Sequence, residues 1–404
     1  MFRPRYARVT DRLSEEDTDV WSVHDRAVAL QRSGVDVILL SVGDPDFRTP
    51  EPIIDNAVSH LRVGRTHYSP SLGELKLRRA VADLETRTSP HPCTVDEVAI
   101  FPGATAALYA VLTCLLDSGD EIVVPEPMYV GYSPIFKAVD ASVVTVALDA
   151  ARGFMLDMQG VKAALSERTR VLFLNTPGNP TGRIIPRTDL RELAQYCRER
   201  GVWLVCDEVY SMFCYEGQHF SVRASASHLD NIVLIDGLSK SHAMSGWRMG
   251  WVVAPPELIQ RLGTFAGATL FGSPQFIQDA SAFALENDQA YVEEMREEYR
   301  ERRDLMLQRL DDVEFLKCTR PHAGMFIMCD VSATGLDGQA FADRLLDEQG
   351  VAVIPGLAFG ASTRAFVRIG LAQKRTVLKR ACKRLRDFCG ALAAERQESL
   401  PQAP

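Results

Sequence analysis

Three strongly apolar runs in this chain each lead into residues that carry chemistry, and this repetition constrains the fold more than any other feature. Val171-Leu172-Phe173-Leu174 stops at Asn175-Thr176-Pro177-Gly178-Asn179-Pro180. Trp203-Leu204-Val205-Cys206 stops at Asp207-Glu208-Val209-Tyr210. Asn231-Ile232-Val233-Leu234-Ile235 leads into Ser239-Lys240-Ser241-His242. Short, near-continuous apolar runs read as strands covered on both faces, as in a parallel sheet flanked by helices. Ligands in such sheets bind outside the carboxyl ends of the strands. An amide-rich turn, an acid and a lysine therefore fall on one edge. A charged amine at the end of a buried strand is costly unless it is used. Arg248, eight residues beyond Lys240, adds a fixed cation suited to an anion such as phosphate.

The pattern between about Glu97 and Pro255 supports that sheet. It reads as strand over Glu121 to Val124, helix over Tyr129 to Val139, strand over Ser142 to Leu148 and helix over Val161 to Ser166. Such alternation means βαβ units. Thr105 to Leu116 reads as a helix whose start, at Gly103-Ala104-Thr105, offers free N–H groups and a dipole to an anion. A long helix over Gln289 to Leu310 leads to a second unit. That unit holds Phe326 to Val331, a helix over Gln339 to Gln349, Val351 to Ile354, the strand bearing Arg368 and a last helix from Thr376. The N-terminal segment is expected to pack on this second unit, and the tail 399–404 to be disordered. The basic residues after Lys374 alternate with Val377, Leu378, Ala381, Leu385 and Phe388 at helical spacing. They read as the wet face of a packed helix.

Lysine forms Schiff bases with aldehyde cofactors, and a pyridoxal ring needs three kinds of group. It needs a lysine for its aldehyde, a carboxylate for its pyridine nitrogen and donors for its phenolic oxygen. Lys240, Asp207 and the Asn179 turn supply them in this order. The chain also resembles a fold-type I pyridoxal-phosphate aminotransferase of class I/II, from roughly Leu39 to Leu371. The resemblance is carried by Ser41-Val42-Gly43-Asp44-Pro45-Asp46-Phe47, Thr66-His67-Tyr68, Phe101-Pro102-Gly103-Ala104-Thr105, Asn179-Pro180-Thr181-Gly182, Asp207-Glu208-Val209-Tyr210, Ser239 to Arg248 and Phe366-Val367-Arg368-Ile369-Gly370.

The resemblance implies an α/β fold. A large domain, residues 50–285, has a mostly parallel central sheet, and a smaller α+β domain is built from residues 1–49 and 286–404. It implies a site for pyridoxal 5'-phosphate. Lys240 holds the cofactor as a Schiff base and shuttles a proton. Asp207 pairs with the pyridine nitrogen, and Asn179 and Tyr210 with the phenolic oxygen. Tyr129 stacks on the ring. The amides of Gly103, Ala104 and Thr105 hold the phosphate with Ser239 and Arg248, and Tyr68 reaches it from the partner of a homodimer. Arg368, Asn179 and the Gly43 N–H bind the substrate carboxylate. One departure stands out. Where the family often has Ser or Thr three residues before the lysine, this chain has Gly237, so one phosphate contact is lost or passes to water.

Within the family, Glu126-Pro127-Met128-Tyr129-Val130, Gly272 to Ala280 and Gly324-Met325-Phe326-Ile327-Met328 resemble transaminases that pair arginine with pyruvate. L-Arginine or another basic donor and pyruvate as acceptor are expected. No second Arg near Thr269 to Gln275 and no Lys in Gly103-Ala104-Thr105 offers a clamp for a side-chain carboxylate. Asp17 and Asp19 are candidates to read a guanidinium. The alternatives are an aspartate or broad-range aminotransferase, another pyridoxal reaction such as β-elimination or arginine oxidation, and a non-enzymatic cofactor sensor. The last is disfavoured because no DNA-binding module flanks the site.

Composition fits a cytoplasmic enzyme of amino-acid metabolism. A net charge of −8 argues against a nucleic-acid partner, and no apolar run is long enough for a membrane span. The eight histidines show no metal-ligand spacing. The nine cysteines lack a C-x-x-C pair and are expected as reduced, mostly buried thiols.

Overall fold

The structure, a computed structural model, describes residues 5–14, 20–287 and 289–399. Seven strands form one sheet in the order Ser142–Ala147, Glu121–Glu126, Thr169–Asn175, Trp203–Asp207, Ile232–Gly237, Gly250–Val253, Val98–Phe101. Neighbours are parallel except at Gly250–Val253, which runs against both of its partners. The mostly parallel sheet is present, with one reversed strand that the apolar pattern does not mark.

Side chains alternate across the sheet, as a pleated strand requires. Val171, Phe173, Val205, Val233 and Ile235 join Leu108 and Leu112 on one side. Leu172, Leu174, Leu204, Cys206 and Leu234 join Leu190 and Leu193 on the other. Cover on both faces explains why these strands read as continuous apolar runs. Truncating one such Leu to Ala costs about 2–5 kcal/mol.

A second layer centres on an antiparallel sheet in the order Ile354–Pro355, Phe366–Gly370, Phe326–Asp330, Lys317–Thr319. Helices Gln289–Leu310, Gly338–Gln349 and Arg375–Ser399 surround it. Leu378, Ala381, Leu385 and Phe388 point into its core, while Arg380 and Arg384 pair with Asp36 and Arg386 pairs with Asp312. Val23, Ala27, Ile38 and Leu40 from the N-terminal segment share the same core.

Several expectations need correction. The run Val351 to Ile354 is not one strand. Val351–Ala352 pairs in parallel with Ile38–Leu39, and Ile354–Pro355 pairs with the Arg368 strand. The first helix, Arg8–Ser14, leaves the second unit and lies against Tyr132–Ala138, where Arg12 Nε donates to the Lys137 carbonyl at 2.8 Å. The thiols are not all reduced: Cys318 and Cys329 form a disulfide, and the other seven are free. They are direct partners on adjacent antiparallel strands, with Cα atoms 4.1 Å apart. Residues 400–404 of the tail lie outside the described residues, and Ser399 ends the last helix. No helix among the described residues is long and apolar enough to cross a membrane.

Candidate active site

Strand register builds the site. Asn175 lies opposite Asp207, and Asp207 opposite Ile235, so the first two strands end level and the third runs two residues further, to Gly237. The chain after Ile232–Gly237 turns into the short helix Leu238–Ser241, which brings Ser239 and Lys240 over the same edge. Helix Ala104–Leu115 starts there too, directly after strand Val98–Phe101. The result is a cavity of about 440 Å³ lined by Gly43, Ala104, Thr105, Tyr129, Asn179, Asp207, Tyr210, Ser239, Lys240, Arg248 and Arg368 among others.

Asp207 is buried at the floor. Its Oδ2 accepts a hydrogen bond from Tyr132 Oη at 2.9 Å and its Oδ1 one from the Val209 N–H at 3.1 Å. Burial pushes it up to about 6 against those two donors. Lys240 Nζ donates to the Gly43 carbonyl at 2.7 Å. Loss of hydration lowers this amine to about 8, opposed by the carboxylate of Asp44. An acid raised and a base lowered within one cavity is the pattern of a site for proton transfer near neutral pH.

Arg368 projects from Phe366–Gly370 with its guanidinium buried. Nη1 donates to Asn179 Oδ1 at 3.0 Å and Nη2 to the Ser41 carbonyl at 2.9 Å. The group lies 4.0 Å from the centroid of the Phe326 ring and 4.8 Å from that of Phe359. Burial lowers it to about 10, and among the described residues its Nε has no hydrogen-bond partner. A buried cation that no carboxylate of the described residues pairs with, and that has an unfilled donor, is a receptor for an anion. Asn179 is held in turn, its N–H donating to Asn175 Oδ1 at 2.8 Å, and its Nδ2 donates to Tyr210 Oη at 3.5 Å.

At the opposite end, Gly103 has φ +90°, and a Cβ there would sit 2.4 Å from Arg248 Nη2. Only glycine lets the guanidinium close over this turn. Arg248 Nη1 donates to the Ser245 carbonyl at 2.9 Å. The Gly103 N–H is already given to the Phe101 carbonyl at 2.7 Å. The amides at the helix start that precede any intrahelical partner are therefore those of Ala104, Thr105 and Ala106, and Ala104 and Thr105 line the cavity. Gly43 lines the same cavity, and its carbonyl accepts from Lys240. Tyr129 lines the cavity wall with its ring edge-on to Tyr132, centroids 5.3 Å apart, and a Cβ at Gly131 would meet that ring at 2.5 Å.

Tyr68 is not brought to this cavity. It is 82% exposed and packs against Phe271 in a separate concavity that also includes Phe276. Asp17 and Asp19 lie outside the described residues. Gly237 has a structural cause. A Cβ there would stand 2.7 Å from the Met249 carbonyl oxygen, because this strand end pairs closely with Gly250. Sequence reasoning missed Tyr132, Asn175 and Ser41 as supports. Tyr132 follows Tyr129 by three residues, but nothing local says that its hydroxyl meets Asp207.

The donor set fits pyridoxal phosphate. An amine, a buried carboxylate and a cationic helix start are arranged around one cavity, with a separate buried guanidinium for a second anion. Among the described residues, no three His, Cys, Asp or Glu side chains are grouped to hold a metal.

Comparison with known proteins agrees with this geometry. A family profile for aminotransferases of class I and II matches residues 35–385. Arginine–pyruvate transaminase AruH of Pseudomonas aeruginosa is 44% identical over 387 residues, 96% of this chain and 98% of that one. Aspartate/prephenate aminotransferase of Thermus thermophilus is 35% identical, covering 91% of this chain and 95% of that one. A solved structure of Thermus thermophilus aspartate aminotransferase superposes with a TM-score of 0.90 at 33% identity, covering 95% of this chain and all of that one. A family-profile match over residues 35–385 and 44% identity with a relative across nearly the whole chain mean that this protein belongs to the aminotransferase class I and II family.

Proposed function

We propose that this aminotransferase moves the α-amino group of L-arginine, or a close basic amino acid, to pyruvate, with pyridoxal 5'-phosphate held at Lys240. The observation that carries the cofactor assignment is the convergence of Lys240, Asp207 and Arg368 on one cavity. The donor and acceptor are supported by the 44% identity with a relative named for arginine and pyruvate. The cavity's three cations support it as well. Lys240, Arg248 and Arg368 are each taken by cofactor or α-carboxylate in this reading, which leaves none for the side chain of aspartate.

When bound, the cofactor supplies an aldehyde that condenses with amines and a ring that draws electron density from the α-carbon. Ala104, Thr105, Ser239 and Arg248 hold its phosphate. Asp207, kept charged by Tyr132 and the Val209 N–H, retains a proton on the ring nitrogen. Tyr210 and Asn179 bond its phenolic oxygen, and Tyr129 covers one face. Arg368 takes the substrate α-carboxylate through a two-point contact, which fixes the direction of the Cα–H bond. Lys240, its amine lowered to about 8, takes the α-proton and returns it.

The two-domain division at about residues 50 and 285 is part of the proposal, supported by the separate core shared by the N-terminal and C-terminal segments. So is a homodimer. Val58 and Leu61 line one exposed apolar concavity and Tyr68 and Phe271 an adjoining one, joined at Phe276. A second copy covering that face would bring Tyr68 to the partner's phosphate. A cytoplasmic location is supported by seven free thiols. The test is a panel of L-amino acids with pyruvate and with 2-oxoglutarate, scored for alanine and glutamate. Arginine with pyruvate should lead. Aspartate outrunning arginine with 2-oxoglutarate preferred would overturn the basic-donor reading, and ammonia release without alanine would indicate a different pyridoxal reaction.

A further inference from the structure

Two carboxylates line the active-site cavity, and only one has work in the mechanism. Asp207 is buried and bonded to Tyr132. Asp44 is exposed at the rim, and among the described residues its carboxylate makes no hydrogen bond or ion pair. Asp46, two residues on, shows the contrast. It is locked to Arg302 at 2.6 Å and accepts from Tyr299. Asp44 is kept near the reacting centre because the neighbouring Gly43 carbonyl accepts from Lys240 Nζ at 2.7 Å. Its charge is felt there, since it opposes the lowering of the Lys240 amine.

The same cavity wall carries Trp21, 38% exposed, with its edge braced against His24 at 5.7 Å between ring centroids. A carboxylate and an indole in one cavity match the two faces of a guanidinium. Its N–H fork suits a carboxylate, and its flat cation suits an aromatic ring. The cavity's cations meanwhile offer nothing to an acidic side chain, because Arg248 lies at the phosphate end and Arg368 beside Asn179.

We infer that Asp44 and Trp21 form the subsite that reads the cationic side chain of the amino donor, with Asp44 supplying charge selectivity and Trp21 a stacking face. This rests on the basic-donor reading above and deepens it. Asp44 acts on the substrate directly, and its influence on Lys240 is secondary.

The test compares L-arginine with L-citrulline, which replaces the guanidinium by a neutral urea of nearly the same shape. The readout is the ratio of kcat/KM for the two donors, with pyruvate as acceptor and the cofactor-loaded enzyme. General damage to the site cancels in this ratio. Wild type should favour arginine, and Asp44→Asn should cut the ratio about five-fold or more, as expected for loss of a charge-assisted pair at a partly solvated rim. Asp44→Glu should keep most of the preference, and Trp21→Leu should lower it. An unchanged ratio in Asp44→Asn, with both donors slowed equally, would show a role through Lys240 instead and overturn the inference while leaving arginine as the donor. Failure of wild type to use arginine at all would remove the donor reading and this subsite with it.

Discussion

Replacing Tyr132 with Phe deletes one oxygen and leaves the ring in place against Phe173, Phe136 and Tyr129. What is lost is the 2.9 Å hydrogen bond to Asp207 Oδ2. A buried bond to a carboxylate contributes about 1.5–3 kcal/mol. One pKa unit corresponds to about 1.36 kcal/mol, so Asp207 should rise by roughly one to two units. It starts at about 6 in the protein without cofactor. Its folded value already exceeds its unfolded one, so its charged form opposes folding above the unfolded pKa, and Tyr132→Phe enlarges that cost. The loss in Tm should therefore be absent below about pH 6, where Asp207 is protonated in both proteins, and complete above about pH 8. In the loaded enzyme, the acidic limb of kcat/KM should move to higher pH by the same one to two units. Turnover near that limb falls about ten-fold or more, and alkaline turnover recovers. The assay is alanine formation across pH 5 to 9, with thermal melts of the cofactor-free protein. A pH-independent loss, or superimposable profiles, would refute the argument that Tyr132 acts by keeping Asp207 charged.

Other expectations follow from the same geometry. Arg368→Lys removes the planar fork and should lower kcat/KM about ten- to hundred-fold for every α-amino acid, which steady-state kinetics with two unrelated donors would measure. Gly237→Ser restores the family's hydroxyl but drives a Cβ to within 2.7 Å of the Met249 oxygen. A cost of about 1–3 kcal/mol should lower Tm by a few degrees, whereas an unchanged Tm with tighter cofactor binding would show that the hydroxyl is accommodated. Tyr68→Phe and Lys240→Ala proteins, mixed and allowed to exchange subunits, should turn over faster than the two proteins measured apart and summed. A monomer by light scattering at micromolar concentration would argue against the shared site.

Much of the site was legible because two-sided burial writes itself into sequence as continuous apolar runs, and the residues just past those runs are the ones the sheet edge presents. That logic reached Asn179, Asp207 and Lys240 without any fold in view. Direction is not written the same way. Gly250-Trp251-Val252-Val253 is equally apolar whichever way it runs, so the reversed strand was invisible. Register is also silent, which hid the pairing of Cys318 with Cys329 and the division of Val351 to Ile354 between two sheets. Tyr132 and Asp44 owe their significance to contacts or vacant bonds across the fold, and a local pattern records neither. Gly237 shows the converse. Its departure from the family was plain in sequence, but its cause, a backbone crossing at Met249, needed coordinates.

The central claim is that Lys240 carries the cofactor and the proton. The most direct measurement is the visible absorbance of purified Lys240→Ala incubated with pyridoxal 5'-phosphate, followed by turnover of arginine with pyruvate. The absorbance of lysine-bound cofactor should disappear and turnover should fall by several orders of magnitude, with the fold retained by thermal melt. A Lys240→Ala protein with the wild-type spectrum and wild-type turnover would contradict it.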